Sequence, residues 1–316
     1  MNRKITVIGA GSVGATIAYT LVGQGLASDI VMIDINNDKA VAEAMDIYQA
    51  TPFLHAANIK AGSYEDAEGS DIVIVASGVG RKPGQSRIDL AQTNVNILKS
   101  IAPEIVKHAP DAIYVMVANP VDVLTYVFCK ITGVPKSRII GSGTSLDTSR
   151  LQARLAELYS VSPAQIHGYV YAEHGDTSFI PWSLVNISGV PIAEYENAVM
   201  EKSAVSVPSY THEEVEEYVR KSGGKIIAGK GATFYGIAAS VCYIVKCLGL
   251  GVDTIVTVSA MLAGEYGVED VCISVPCVLC PKGIKTTLAP KLTDEETEKF
   301  RKSAEAMKAV IAQLDI

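Results

Sequence analysis

Residues 4–21 read KITVIGAGSVGATIAYTL, and the order of residue types along this stretch decides the fold. Apolar and β-branched residues after Lys4 make a short strand. Gly9-Ala10-Gly11-Ser12-Val13-Gly14 then turns directly into a stretch of helical composition. A G-x-G-x-x-G pattern is weak alone, but directly after a strand and opening a helix it marks a dinucleotide site. Gly9 permits the tight turn, Gly11 lets a pyrophosphate approach the backbone, and Gly14 lets helix and strand pack closely, with Val13 in the same turn. The free N–H groups and partial positive charge of the helix N-terminus suit that pyrophosphate. Asp34 ends the second strand, 20 residues after Gly14, placed to accept hydrogen bonds from both adenine-ribose hydroxyls. Its charge repels a 2′-phosphate and no Arg or Lys adjoins it, so the cofactor is read as NAD rather than NADP. Two basic residues ahead of the apolar run give it a passing likeness to a signal peptide. Three glycines punctuate it and no A-x-A-like cleavage site follows, which favours strand, turn and helix.

Outward from this unit the pattern repeats. ITVIG, IVMID, DIVIVAS, AIYVMVA and RIIG are apolar almost throughout, as strands of a parallel sheet covered on both faces must be. Between them lie helical spacings such as Val41, Met45, Tyr48 and Ile97, Ile101, Ile105. Alternating strands and helices imply right-handed crossovers and an α/β, Rossmann-type doubly wound parallel sheet over residues 1–141, the dinucleotide-binding domain. Gly78, Val79 and Asn119, at the carboxyl ends of later strands, would line the same crevice. After Gly141 the grammar changes to an α+β catalytic or substrate domain over residues 142–316. It holds a helix around residues 146–159, strand-like VNISGVPI, TIVTVSAMLA and DVCISVPCVL, and acidic helices near residues 213–221. A last helix is capped by Thr293 with Glu296 at its third position, and buries Phe300, Ala304, Met307, Ile311 and Leu314 along one face.

With 316 residues, 48% of them hydrophobic, and a formal charge of −7 from 27 Lys+Arg against 34 Asp+Glu, the chain is of ordinary globular type. A chain of this length buries roughly 75% of its unfolded surface and needs no disulfide or metal staple. There is no basic run to meet a polyanion, so nucleic acid is not an expected partner. The six cysteines lie in apolar stretches, where reduced thiols are usual, and the cytoplasm is the simplest compartment. Cys277 and Cys280 form a C-x-x-C with no second pair or clustered histidines, so no metal site is expected. No run of 18 apolar residues is unbroken, which argues against a membrane span.

Beyond the fingerprint, four segments carry reactive residues: GRKPGQSRIDL (80–90), ANPVD (118–122), SLDTSRL (145–151) and AEHGDT (172–177). In order, and across essentially the whole chain, these motifs resemble the L-lactate/malate dehydrogenase family. The resemblance implies hydride transfer between nicotinamide and C2 of a short L-2-hydroxy acid. Oxidising a secondary alcohol needs a base of near-neutral pKa beside the oxygen, and His174 matches the family's base. Asp147 matches the aspartate that holds the other ring nitrogen and keeps one tautomer. Arg150, three residues on along one helix face, matches the arginine that grips the substrate carboxylate with two prongs, which Lys cannot do. Arg87 matches the arginine of a mobile loop that polarises the carbonyl, and Asn119 would hydrogen-bond the substrate oxygen. The family also implies a homo-oligomer, most simply a tetramer.

The same resemblance frames the choice of substrate. Specificity rests heavily on the position six before the loop arginine, here Arg81, as in malate dehydrogenases. A second carboxylate sealed under a lid needs a cation, since an unpaired buried charge costs several kcal/mol. Thr233 in GKGATFYGIA and the segment SGTSLDTSR follow the lactate pattern instead. One methyl or hydroxyl is worth about 1–3 kcal/mol, less than a charge, so malate/oxaloacetate is expected. The alternatives are L-lactate dehydrogenase, a relaxed enzyme for branched or longer 2-oxo acids, and a catalytically silent NAD-binding protein. The last predicts decay at reacting positions, yet His174, Asp147, Arg150, Arg87 and Asn119 are all present. His167 matches the histidine of a fructose 1,6-bisphosphate site, but Gln152 stands where its arginine belongs, so no such activation is expected.

Overall fold

Short runs of Ile and Val form six strands, β1 (Lys4–Ile8), β2 (Asp29–Ile33), β3 (Asn58–Ala61), β4 (Ile72–Val75), β5 (Ile113–Met116) and β6 (Ile139–Gly141). In the computed structural model, which describes residues 3–80, 84–195 and 209–316, they lie parallel in the order β6-β5-β4-β1-β2-β3. β4 and β5 are buried at every position, which is why they read as unbroken apolar runs. Edge strand β3 buries only Ile59 of its four residues, so it carries no such run and the sequence reading passed over it.

Helices α1 (Ser12–Gly23), α2 (Asn37–Ala50), α3 (Arg87–His108) and α4 (Val121–Thr132) connect these strands, and α5 (Ser145–Tyr159) follows β6. On α2 the expected spacing is present but turned outward. Ala40, Ala44 and Ile47 face the sheet, while Val41, Met45 and Tyr48 are exposed. Small residues on the buried face let the helix lie close to the strands.

The second half does not build a separate large sheet. A small antiparallel sheet, β7 (Ile166–His167), β8 (Asn186–Ile187) and β9 (Val190–Pro191), stands alone. β10 (Thr254–Ala263), β11 (Glu269–Cys280) and β12 (Gly283–Thr287) extend the parallel sheet to nine strands in antiparallel fashion, joined through Ser259 opposite Gly141. The acidic stretch is one long helix, α6 (His212–Lys230), followed by α7 (Tyr235–Cys247), which packs on α1. The last helix, α8 (Asp294–Ile311), has the reciprocal Thr293–Glu296 cap and buries Phe300, Ala304, Met307 and Ile311. Among the described residues no helix is long and apolar enough to cross a membrane, and no cluster of His, Cys, Asp or Glu could hold a metal.

Candidate active site

The turn after β1 has no room for side chains at two of its glycines. Gly9 has φ +102°, and a Cβ there would lie 2.8 Å from the Ser77 nitrogen; one on Gly14 would lie 1.8 Å from the Gly9 carbonyl oxygen. At Gly11, the N-cap of α1, a Cβ would meet nothing within 4 Å. Open space over a glycine backbone, in front of a helix N-terminus with no side-chain cap, fits a pyrophosphate. Asp34 stands just past β2, its carboxylate accepting the Ala10 N–H at 2.6 Å and the Asn36 N–H at 2.9 Å. Each oxygen keeps a lone pair for a ribose hydroxyl. These residues therefore fit NAD.

Asn94, on the buried face of α3, ties the far side of the crevice together. Its Oδ1 accepts the Val79 N–H at 2.9 Å, and its Nδ2 donates to the Val79 carbonyl at 3.1 Å and the Asn119 carbonyl at 2.6 Å. The sequence reading did not single it out. The signal was a lone Asn among Ala91, Val95 and Leu98 at helical spacing, where a polar side chain must have a buried partner.

The first turns of α5 present Asp147 and Arg150 on one face. Arg150 Nη1 donates to Asp147 Oδ1 at 2.6 Å, and the other Asp147 oxygen meets His174 Nδ1 at 2.5 Å. Burial works against a charged His174 ring, but the Asp147 charge and hydrogen bond outweigh it and hold the imidazole above the ordinary histidine value. Burial likewise pushes against the Asp147 carboxylate, and His174 and Arg150 together hold it below its usual range.

Three elements fasten the segment bearing His174. Ala172 exchanges two backbone hydrogen bonds with Ser274 on β11, each 2.9 Å. The Glu173 N–H reaches Ser303 on α8 at 3.2 Å, and the His174 N–H donates to Asp122 on α4 at 2.7 Å. Asp122 is 2% exposed, and burial pushes its pKa up to about 6 against the opposing pull of the Ser259 hydroxyl and the His174 amide. The sequence reading quoted Asp122 within its motif without assigning it this hold on the histidine.

These side chains meet around a cavity of about 270 Å³ lined by Val13, Asn119, Asp147, Arg150, His174 and Thr233, together with Arg220, Gly223, Gly224 and Ile227 of α6. Arg220 is engaged by Glu216 at 3.1 Å and by the Ser178 carbonyl at 3.0 Å. Arg87 is the first residue of α3 rather than part of a loop, set by a capping box between Ser86 and Asp89. Its guanidinium pairs with Asp176 at 2.6 Å, both side chains mostly exposed. Arg81 lies outside the described residues. A second cavity, about 480 Å³, brings Gln152 and His167 together away from His174.

Two family models divide the chain between them. One described as lactate/malate dehydrogenase, NAD binding domain, matches residues 3–141, and one described as lactate/malate dehydrogenase, alpha/beta C-terminal domain, matches residues 144–315. An L-lactate dehydrogenase of Thermoanaerobacterium saccharolyticum is 45% identical over 99% of both chains. L-lactate dehydrogenase 1 of Clostridium acetobutylicum is 43% identical over 97% of each. The minor L-lactate dehydrogenase of Enterococcus mundtii, solved in a ligands-bound form, superposes with a TM-score of 0.93 at 35% identity, covering 100% of this chain and 99% of that one.

These relatives overturn the expectation of malate and oxaloacetate drawn from Arg81: end-to-end likeness runs to proteins named for lactate. The physical error was to let one charge outweigh the agreement of Thr233 and residues 142–150 with the lactate pattern. Among the described residues the arginines of the cavity are Arg150 and Arg220, and each already faces a carboxylate.

Proposed function

Since the chain belongs to the lactate/malate dehydrogenase family, we propose that it is an NAD-dependent L-lactate dehydrogenase, interconverting pyruvate and L-lactate. The observation that carries the chemistry is the unbroken Arg150–Asp147–His174 chain along one wall of the cavity. The relatives named for lactate support the choice of substrate.

Each residue then has a task in pyruvate reduction. Arg150 takes the C1 carboxylate in a bidentate grip, its Nη2 facing α6 across the cavity. His174, with Nδ1 committed to Asp147, presents Nε2 to the ketone oxygen and gives it a proton; in lactate oxidation it takes that proton back. Asp147 keeps the tautomer and stabilises the charged ring. Asn119 hydrogen-bonds the same oxygen. Arg87 polarises the carbonyl after leaving Asp176, an exposed pairing worth about 0–1 kcal/mol and easily exchanged. Reduced NAD, when bound against Gly9, Gly11, Val13, Gly14, Asp34, Gly78 and Val79, supplies hydride to C2.

The reading extends to a division into residues 1–141 for cofactor and 142–316 for substrate, and to a cytoplasmic homotetramer. Exposed Val41, Met45 and Phe53 support burial against further copies, and free cysteines support a reducing compartment. Gln152 beside His167 brings no charge for a phosphate, which supports the absence of sugar-bisphosphate activation.

Consumption of NADH with pyruvate against oxaloacetate tests the proposal. We expect kcat/KM to favour pyruvate by about tenfold or more, as a pocket with an unmatched polar demand discriminates. A preference for oxaloacetate, or no turnover of either acid, would overturn it.

A further inference from the structure

The segment that carries His174 begins under strain. Ala172 has φ +73°, in the left-handed region that residues with a side chain rarely adopt. Such a conformation persists only where the surroundings over-determine it. The two backbone hydrogen bonds between Ala172 and Ser274 secure the chain before the histidine. The chain after it is secured by side chains of the same short segment. Residues 173–177 read Glu-His-Gly-Asp-Thr. The Glu173 carboxylate folds back along this segment and accepts the Thr177 N–H at 3.2 Å and the Thr177 hydroxyl as well. The Thr177 oxygen lies 2.7 Å from the Ser303 hydroxyl, and the Ser303 oxygen accepts the Glu173 N–H at 3.2 Å.

These bonds have one consistent direction. A backbone N–H only donates and an ionised carboxylate only accepts, so the Glu173 N–H donates to Ser303, Ser303 to Thr177, and Thr177 to the Glu173 carboxylate. Glu173 thus opens and closes a ring of hydrogen bonds, and bonds that run one way round reinforce one another. Ser303, 0% exposed, anchors the ring to α8. The ring also accounts for the glycine after the histidine: a Cβ on Gly175 would lie 2.6 Å from the Glu173 carboxyl carbon. Glycine brings the backbone its widest freedom, and the ring removes it again. We propose that Glu173 and Thr177 are positioning residues for the reaction, holding the His174 imidazole through this ring at its working angle between Asp147 and the substrate oxygen. The inference rests on the roles given above to His174 and Asp147. Neither Glu173 nor Thr177 lines the cavity, so both act through the backbone on either side of the histidine.

The test uses the full-length enzyme. Thr177 is exposed, so Thr177→Val removes the hydroxyl at nearly constant shape and leaves no cavity. We expect kcat for pyruvate reduction to fall about tenfold, from the loss of a hydrogen bond to a charged acceptor. KM for pyruvate should stay within about twofold, because Arg150 sits on α5 and not on this segment. Thr177→Ser keeps the hydroxyl and should return kcat to within about twofold of wild type. Glu173→Gln keeps an acceptor without its charge and should lower kcat by less than Thr177→Val, about threefold. The attraction of Asp147 holds the His174 imidazole above the ordinary histidine value, and a loosened ring loses part of it. In Thr177→Val the titration of that imidazole, followed by NMR, should therefore move to lower pH. Equal kcat and equal titration in wild type and Thr177→Val overturn the inference, as does a Ser variant as slow as the Val variant, or a loss carried by KM alone. Failure of the underlying function looks different: the wild type itself then consumes no NADH with pyruvate, and the imidazole titration still decides the positioning role.

Discussion

Replacing Asp147 by Asn keeps the shape of the side chain and removes its charge from between Arg150 and His174. Asp147 is 4% exposed and one of its oxygens lies 2.5 Å from His174 Nδ1, so bulk water screens this pair poorly. Taking the charge centres at about 4 Å and an effective dielectric constant near 20, their attraction is about 4 kcal/mol. At about 1.4 kcal/mol per decade, the loss corresponds to roughly a thousandfold in rate for any step that needs the ring protonated. Arg150 adds to the effect. With its counter-ion gone, its positive charge faces the ring unopposed.

The assay is kcat/KM for pyruvate reduction as a function of pH, for wild type and Asp147→Asn. In the proposed reduction His174 must be charged, so activity is expected to fall on the basic side of its pKa. Asp147 holds that pKa above the ordinary histidine value. The Asn variant must therefore lose activity from a lower pH than the wild type, in addition to a drop of about a thousandfold near neutrality. A variant whose basic limb coincides with the wild type, with kcat/KM within about fivefold, would refute the reasoning; the histidine would then owe its state to something other than Asp147.

Two further outcomes follow from neighbouring groups. Asp122 titrates near 3.8 when unfolded and at about 6 when folded, so between those values the folded protein holds the extra proton and stability falls as pH rises, by about 3 kcal/mol in all. Asp122→Asn removes this dependence, and the difference in melting temperature between variant and wild type should move in the variant's favour from pH 4 to 6.5; a pH-independent difference would sink the idea. Arg150→Lys keeps a positive charge but not the planar fork, losing one charged hydrogen bond worth about 1.5–3 kcal/mol, so kcat/KM for pyruvate should fall about tenfold to a hundredfold. An unchanged value would place the carboxylate elsewhere.

What could be read from the residues alone follows from the range over which each feature is determined. The turn at Gly9 to Gly14 was legible from its spacing: Gly14 answers to the Gly9 carbonyl within the same turn and Gly11 stays open, although Gly9 is also hemmed in by Ser77 just past β4. Strands β4 and β5 are buried on both faces and announce themselves as Ile/Val runs, whereas β3, paired on one side only, does not. That β10 to β12 continue the parallel sheet was not legible. It depends on Ser259 lying opposite Gly141, a pairing across more than a hundred residues that no periodicity encodes.

The site divides along the same line. Asp147 and Arg150 share a helix face, so their spacing placed them together, and the motif around His174 supplied their partner. The groups that hold these residues in place were missed: Asn94 bridging Val79 and Asn119, Asp122 on the His174 amide, Asp176 on Arg87. They meet across sequence separations of 15, 25 and 52 residues for the hydrogen bonds, and 89 for the ion pair. Substrate choice failed for a related reason. A charge at one position is conspicuous in a sequence, whereas what stands opposite Arg150 is set by α6, whose Gly223 meets the guanidinium only once the helix packs there.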